Sequence, residues 1–312
     1  MKELHCPSIQ EIAFELNMLE KEMTDIILYD KNASVSEYCK KIESSIKKHF
    51  VILPRWISMH DEKDLPFRYF RVRRGFPDFH KHLISEYSYR PAISSTDFQR
   101  ANIPYHPVMY CASEPMTALL ETIRNNEFDS SVPYHISEWV FRPNVSVSNT
   151  SFVLENVPTE SEFGILSDGN LKKINDKLSS ESPKTRNDLI NVLKFYCKLF
   201  ITDSKYLISG CLAHKYVYAN DEYFSELLSY PSFQTGGRSV NFAIHPNTVM
   251  QKMELKQVVR VFVKNVDLVN WKCEISCDAI AINNSGVLKW HNFIGNEQLF
   301  KDLFLTMNAC KQ

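Results

Sequence analysis

Glycine is scarce in this chain, with 8 residues in 312, against a usual share of about 7%. Such a chain has little material for loops that cradle phosphates with bare backbone. Neither G-x-x-x-x-G-K-[ST] nor G-x-G-x-x-G occurs, which disfavours P-loop and Rossmann nucleotide sites. An excess of charge of either sign is also missing. Lys plus Arg is 36 and Asp plus Glu is 37, for a net charge of -1, which argues against a general nucleic-acid or polyanion binder and leaves room only for a local basic patch. No stretch approaches 18 apolar residues, so no transmembrane helix and no membrane partner are expected. The N-terminal MKELHCPSIQEIAFEL alternates charged and apolar residues and lacks the continuous apolar core of a secretory signal. The eight cysteines therefore read as free thiols of a cytoplasmic protein rather than as a disulfide framework.

Metal and hydrolase signatures are missing as well. Cys273-x3-Cys277 is followed by no second Cys or His pair at finger spacing, and a zinc site needs four converging ligands. His80 and His82 are two apart and on a helix would point away from each other. There is no G-x-S-x-G and no H-E-x-x-H, so nothing argues for a serine hydrolase or a zinc protease. No metal is expected.

What is present is an ordinary core. Apolar residues make up 44% and charged residues 23%, which excludes a mostly disordered chain, and the length suits one large domain or two ordinary ones. Residues 8–28 carry Ile9, Ile12, Leu16 and Leu19 at helical spacing, and residues 35–49 read as a second, lysine-rich helix. After Lys63 the texture changes to strands: LPFRYFRVRRG, then HPVMYCA, which runs into the helix SEPMTALLETIRNN with Ser113 as N-cap. YHISEWVFRPNVSV reads as one long strand, and the polar stretch 155–190 as loops plus a solvated helix. Residues 188–200 and 206–217 read as helices, SVNFAIHP and KQVVRVFVKNV as strands, and 270–312 as short apolar runs ending in a helix near GNEQLFKDLFLTM. This order predicts an α+β fold.

Three stretches stand out. In FRYFRVRR, period-2 alternation puts Phe67, Tyr69, Arg71 and Arg73 on one face and Arg68, Phe70, Val72 and Arg74 on the other. Each face thus has an arginine among apolar neighbours, and a buried guanidinium needs an anionic partner, either a protein carboxylate or a bound phosphate. In the helix after Ala112, Met116, Leu119, Leu120 and Ile123 form the core stripe, and Glu121 falls beside it. By pattern alone Glu121 is a boundary residue. YPSFQTGGRSVNFAIHP, residues 230–246, holds the only Gly-Gly pair. That pair suits either a tight hairpin turn or the close approach of a ligand, with Ser232 in the preceding loop.

Together and in this order, RYFRVRRG, QRANIPYHPVMYCASEPMTALLE and YPSFQTGGRSVNFAIHP resemble the RES family, named for an Arg, a Glu and a Ser in its active site. The likeness spans roughly residues 64–266. Arg71 matches the strand arginine best, with Arg68, Arg73 and Arg74 competing for the part. Tyr110 lies eleven residues before Glu121, as the family spacing requires, and Ala101 stands where the family carries a tryptophan. The resemblance implies a split, mostly antiparallel β core with flanking helices, like that of ADP-ribosyltransferases. It implies a RES-like, NAD-binding catalytic domain over 63–269 with a polar expansion at 155–190, an N-terminal helical appendage over 1–62 and a C-terminal extension over 270–312.

RES proteins are typically toxins of toxin–antitoxin pairs that consume NAD by hydrolysis or phosphorolysis, or transfer its ADP-ribose to a protein. Carried onto this chain, the resemblance implies catalytic roles for Glu121, Arg71 and Ser232, and substrate binding by Tyr110, Arg100, Tyr69 and Asn241. It also implies an antitoxin partner covering the cleft. The residue types suit the chemistry. Breaking the nicotinamide–ribose bond builds positive charge on the ribose, which a fixed carboxylate stabilises. The diphosphate calls for guanidinium forks, and a tyrosine ring suits the nicotinamide. Two other classes stay open: a binding module that holds a nucleotide or partner without turnover, and a nucleic-acid binder using the basic residues between 40 and 74.

Overall fold

The computed structural model describes residues 37, 39–41, 43–44, 55–61, 68–75, 80–123, 129–221, 224–267, 272–292 and 298. The helix expected over 8–28 lies outside the described residues, as does the C-terminal helix apart from Gln298, which is helical. Those described between 37 and 44 are helical, as the second expected helix requires.

Among the described residues ten strands form one sheet: β1 (Ile57–Asp61), β2 (Tyr69–Arg74), β3 (Met109–Ala112), β4 (Tyr134–Phe141), β5 (Ser146–Ser151), β6 (Leu227–Pro231), β7 (Val240–Ile244), β8 (Met253–Asp267), β9 (Lys272–Asn284) and β10 (Val287–Asn292). Their spatial order is β1-β5-β6-β7-β3-β2-β4-β8-β9-β10. Every neighbouring pair is antiparallel except β5–β6. Besides the helical residues of the front segment and Gln298, the described α-helices are α1 (Pro115–Ile123), α2 (Glu162–Lys177), α3 (Pro183–Thr202), α4 (Leu207–Val217) and α5 (Pro246–Lys252). The expected α+β mixture is what the chain adopts, and no described helix is long and apolar enough to cross a membrane.

Several boundaries differ from the sequence reading for local reasons. The single strand expected over 134–147 is two strands. Pro143 offers no backbone donor to a ladder, and Asn144 takes the left-handed conformation at φ 61°, so the chain turns between β4 and β5. The polar stretch 155–190 holds all of α2 and the start of α3. Each is capped by a serine: Ser161 accepts from Gly164 N, and Ser182 accepts from Thr185 N ahead of Pro183. The segment read as a C-terminal extension begins with β9 and β10. β9 follows β8 through ten paired positions and β10 follows β9. β1, from the front segment, pairs with β5. The sheet therefore extends past both ends of the expected catalytic domain.

Register decides which helix covers which face. Directly paired residues share a face, so Phe70, Ala112, Asn241 and Tyr230 line up across β2, β3, β7 and β6. On that face α1 packs Ala118, Leu119, Leu120 and Ile123 against Phe70, Val72, Ala112 and Val259. Beside it, α3 and α4 pack Phe200, Cys211 and Leu212 against Leu228, Tyr230 and Ala243. The opposite face buries Tyr69, Met109, Cys111 and Phe242 with Phe163 of α2 and Val249 of α5. Leu119 and Leu120 are 0% and 1% exposed, and each such side chain contributes roughly 1.5–3 kcal/mol through burial. The orientation of α1 is therefore set by its core stripe.

Candidate functional site

The centre of the sheet has a seam. β2 pairs with β4 over six residues and β3 pairs with β7 over four, but β2 meets β3 only at Phe70 and Ala112. Beside this seam and α1 lies a cavity of ≈ 350 Å³, bordered among others by Arg71, Arg90, Arg100, Tyr110, Glu121 and Asn241. That volume suits a small-molecule ligand. Residues far apart in the chain converge here because β7, β3 and β2 are neighbours in space.

Glu121 is not left as a boundary glutamate. Ser232 donates its Oγ–H to Glu121 Oε1 at 2.8 Å, and Asn241 donates its Nδ2–H to the same oxygen at 2.8 Å. Two donors on one oxygen fix the rotation of the carboxylate. Asn241 arrives on β7, opposite Ala112. Ser232 arrives through the Gly-Gly turn. Gly236 and Gly237 have φ of 61° and 81°, Gly237 N donates to Ser232 O at 2.8 Å and Ser232 N donates to Ser239 O at 2.9 Å. A Cβ on Gly237 would meet nothing closer than 3.9 Å, so backbone conformation, and not the approach of a neighbour, is what requires glycine there. Ser232 is 0% exposed and stands behind the carboxylate, as a positioning residue for Glu121.

The four strand arginines separate by partner. Arg68 pairs with Glu138 at 2.5 Å, Arg73 with Glu86 at 2.7 Å and Arg74 with Asp129 at 3.9 Å. Arg71 pairs with no carboxylate among the described residues. Its Nη1 donates to the Tyr110 carbonyl at 3.4 Å, and its buried Nε has no hydrogen-bond partner. Alternation puts Arg71 on the face of Tyr69, yet its guanidinium reaches the cavity across the open seam. Burial brings its pKa down to about 10, with Arg73 and Arg90 adding to the effect. It is still a cation at neutral pH. A guanidinium so placed can receive an anion.

The remaining expected residues fall into two groups. Arg100 borders the cavity, but its Nη1 donates to Phe200 O at 2.6 Å near the C-terminal end of α3, and its guanidinium lies 4.9 Å from the Tyr206 ring centroid. Tyr110 also borders the cavity. Its hydroxyl donates to Asn102 Oδ1 at 2.9 Å and accepts from Ala101 N at 2.8 Å, so the ring is held by the Arg100–Asn102 turn. Tyr69 is not brought to the cavity. It is 0% exposed and meets Phe141 and Phe242 edge-on in the core, apart from the other residues expected to bind substrate.

Cavity residues such as Arg90 and Asn102 escaped the sequence reading. Arg90 is exposed and borders the cavity with Arg71. It lies in an irregular segment with no period to place it. Asn102, which is buried, anchors the Tyr110 hydroxyl. Cys111 borders the cavity too, but burial pushes its thiol up to about 12, so it is no thiolate nucleophile at neutral pH.

The site thus sets one fixed carboxylate against three guanidinium groups beside a tyrosine ring. Such a pocket can hold a polyanion and stabilise positive charge arising at one point next to it. Among the described residues no three His, Cys, Asp or Glu gather as a metal site. No protein-family model matches the chain, and no curated protein matches it in sequence.

Proposed function

We propose that the chain is an NAD-cleaving enzyme of the RES type, breaking the nicotinamide–ribose bond with release of nicotinamide. The observation that carries this reading is a doubly anchored Glu121 in one cavity with Arg71, which forms an ion pair with no carboxylate among the described residues. The three stretches that carry the RES resemblance supply Arg71, Tyr110, Glu121 and Asn241 of the cavity's border and Ser232 behind Glu121. A mostly antiparallel sheet with a central seam also supports a likeness to the split β core of ADP-ribosyltransferases.

In this reading the NAD diphosphate lies against Arg71 and Arg90, with Arg100 contributing field from its fixed position. The nicotinamide packs near the Tyr110 ring. As the glycosidic bond lengthens, positive charge builds on the ribose C1′ and ring oxygen, and the Glu121 carboxylate stabilises it. Ser232 and Asn241 keep that carboxylate from swinging away. The bond's electron pair leaves with nicotinamide, and water or phosphate then adds at C1′. An antitoxin-type partner would act by covering the mouth where Arg90 is exposed. The nucleic-acid reading loses ground because Arg68, Arg73 and Arg74 face protein carboxylates.

The test is nicotinamide release from NAD by wild type and Glu121→Ala, each with and without phosphate. Release by wild type with a drop of about 10²–10³-fold in the variant is expected, the scale on which a fixed electrostatic group acts. A phosphate requirement would name the acceptor. Equal rates in both proteins would remove Glu121 from the mechanism. NAD binding by calorimetry without release would leave a binding module, or transfer to a protein target missing from the assay.

A further inference from the structure

Outside the cavity, two thiols meet. Cys39 Sγ lies 2.8 Å from Cys211 Sγ, although the two are 172 residues apart. The contact has a second rung: Lys215 Nζ forms an ion pair with Glu43. Positions 39 and 43, and 211 and 215, are each one helical turn apart, so the same faces of the two helices meet twice. Cys211 is 3% exposed, whereas Cys39 is half-buried, so a dissolved oxidant reaches Cys39 first.

From this geometry we infer that Cys39 and Cys211 form an oxidisable dithiol, closed by a peroxide into a disulfide that staples the front helix to α4. The inference does not depend on the proposed NAD chemistry. In the first step the Cys39 thiolate attacks one peroxide oxygen. The O–O bond breaks, the departing hydroxide takes up a proton as water, and Cys39 becomes a sulfenic acid. Cys211 then gives up its proton and attacks the Cys39 sulfur. The S–O bond breaks and a second water leaves. Overall two thiols and one hydrogen peroxide give one disulfide and two waters.

The local electrostatics favour Cys39 as the first nucleophile. The hydrogen bond from Cys211 lowers its pKa, against burial, with help from Lys215. By contrast, burial pushes the thiols of Cys111, Cys197 and Cys277 up. The staple would also touch the cavity wall indirectly. Gly210, next to Cys211, packs against the Gln99 and Asn102 carbonyls, and Arg100 and Asn102 border the cavity.

The test uses the full chain, treated with hydrogen peroxide, alkylated and digested with trypsin without reduction. The expected result is a mass loss of two hydrogens and a linked pair of peptides, residues 32–40 and 206–215, split by a thiol reductant. Cys39→Ser, a change at a half-buried position, should abolish the link and the gain in thermal midpoint that oxidation gives the wild type. Recovery of both peptides alkylated and unlinked after peroxide, or a link from Cys211 to some other cysteine in the wild type, would overturn the inference.

Discussion

The Glu121 carboxylate takes its orientation from donors more than a hundred residues away, at 232 and 241. A hydrogen bond to a charged group is worth about 1.5–3 kcal/mol, and each 1.36 kcal/mol is about tenfold in rate. Ser232→Ala and Asn241→Ala are therefore each expected to lower kcat for NAD cleavage by about 10–100-fold, since removing one donor loosens the carboxylate without removing it. Steady-state kinetics checks this, and a loss confined to KM would contradict it. Arg71 and Arg68 should behave differently although they sit three residues apart. Arg71→Ala is expected to raise KM, because among the described residues its guanidinium pairs with no carboxylate and borders the cavity. Arg68→Ala should leave KM unchanged and lower stability, because it strips the buried Glu138 of its cation. Urea melts run beside the kinetics separate the two effects.

Helix α4 and the Gly-Gly turn carry the predictions that belong to elements. In an open helix interior Gly→Ala gains roughly 0.8–1.0 kcal/mol. At Gly210 the new Cβ would lie 2.8 Å from Asn102 O and 2.9 Å from Gln99 O. Backbone atoms give way poorly, so Gly210→Ala is expected to cost about 1–3 kcal/mol in urea denaturation and to disturb the turn that holds Tyr110. Much of this organisation was legible in the sequence. The α1 stripe, the alternation of β2 and the Gly-Gly hairpin follow from local periodicity, and local periodicity is what a sequence displays. The resemblance groups Glu121, Ser232 and Asn241, and hydrogen bonds join the latter two to the carboxylate. What stayed hidden depends on partners across the sheet. Alternation puts Tyr69 and Arg71 on one face, and nothing local says that the seam frees only Arg71 while Phe141 and Phe242 enclose Tyr69. The break between β4 and β5 was written in Pro143 and Asn144, but strong β-formers on both sides masked it. Arg90 had no pattern to betray it, since a loop position is fixed by the elements it joins.

For the molecule as a whole, acid sensitivity should come from histidines that the fold keeps neutral. Burial, followed by the nearby His106, lowers the His214 pKa from its ordinary 6.5 to about 4, and burial lowers that of His245 as well. The unfolded chain then binds more protons than the folded one between about pH 4 and 6.5, so stability falls as pH drops through that window. The urea midpoint is expected to decline from pH 7 to pH 4.5, with a shallower slope in His214→Gln; identical slopes would show that His214 is not the group responsible. The order of strands has a further consequence, one of timing. β3 is complete at residue 112, but its neighbour β7 comes only at residues 240–244. A ribosome makes the chain from its N-terminus, so Arg71, Tyr110 and Glu121 all leave the exit tunnel well before the donors that orient the carboxylate. Until that late hairpin slots into the middle of the sheet, the nascent chain carries Glu121 without the two donors that orient its carboxylate, so this arrangement assembles only once residues 232–244 have emerged.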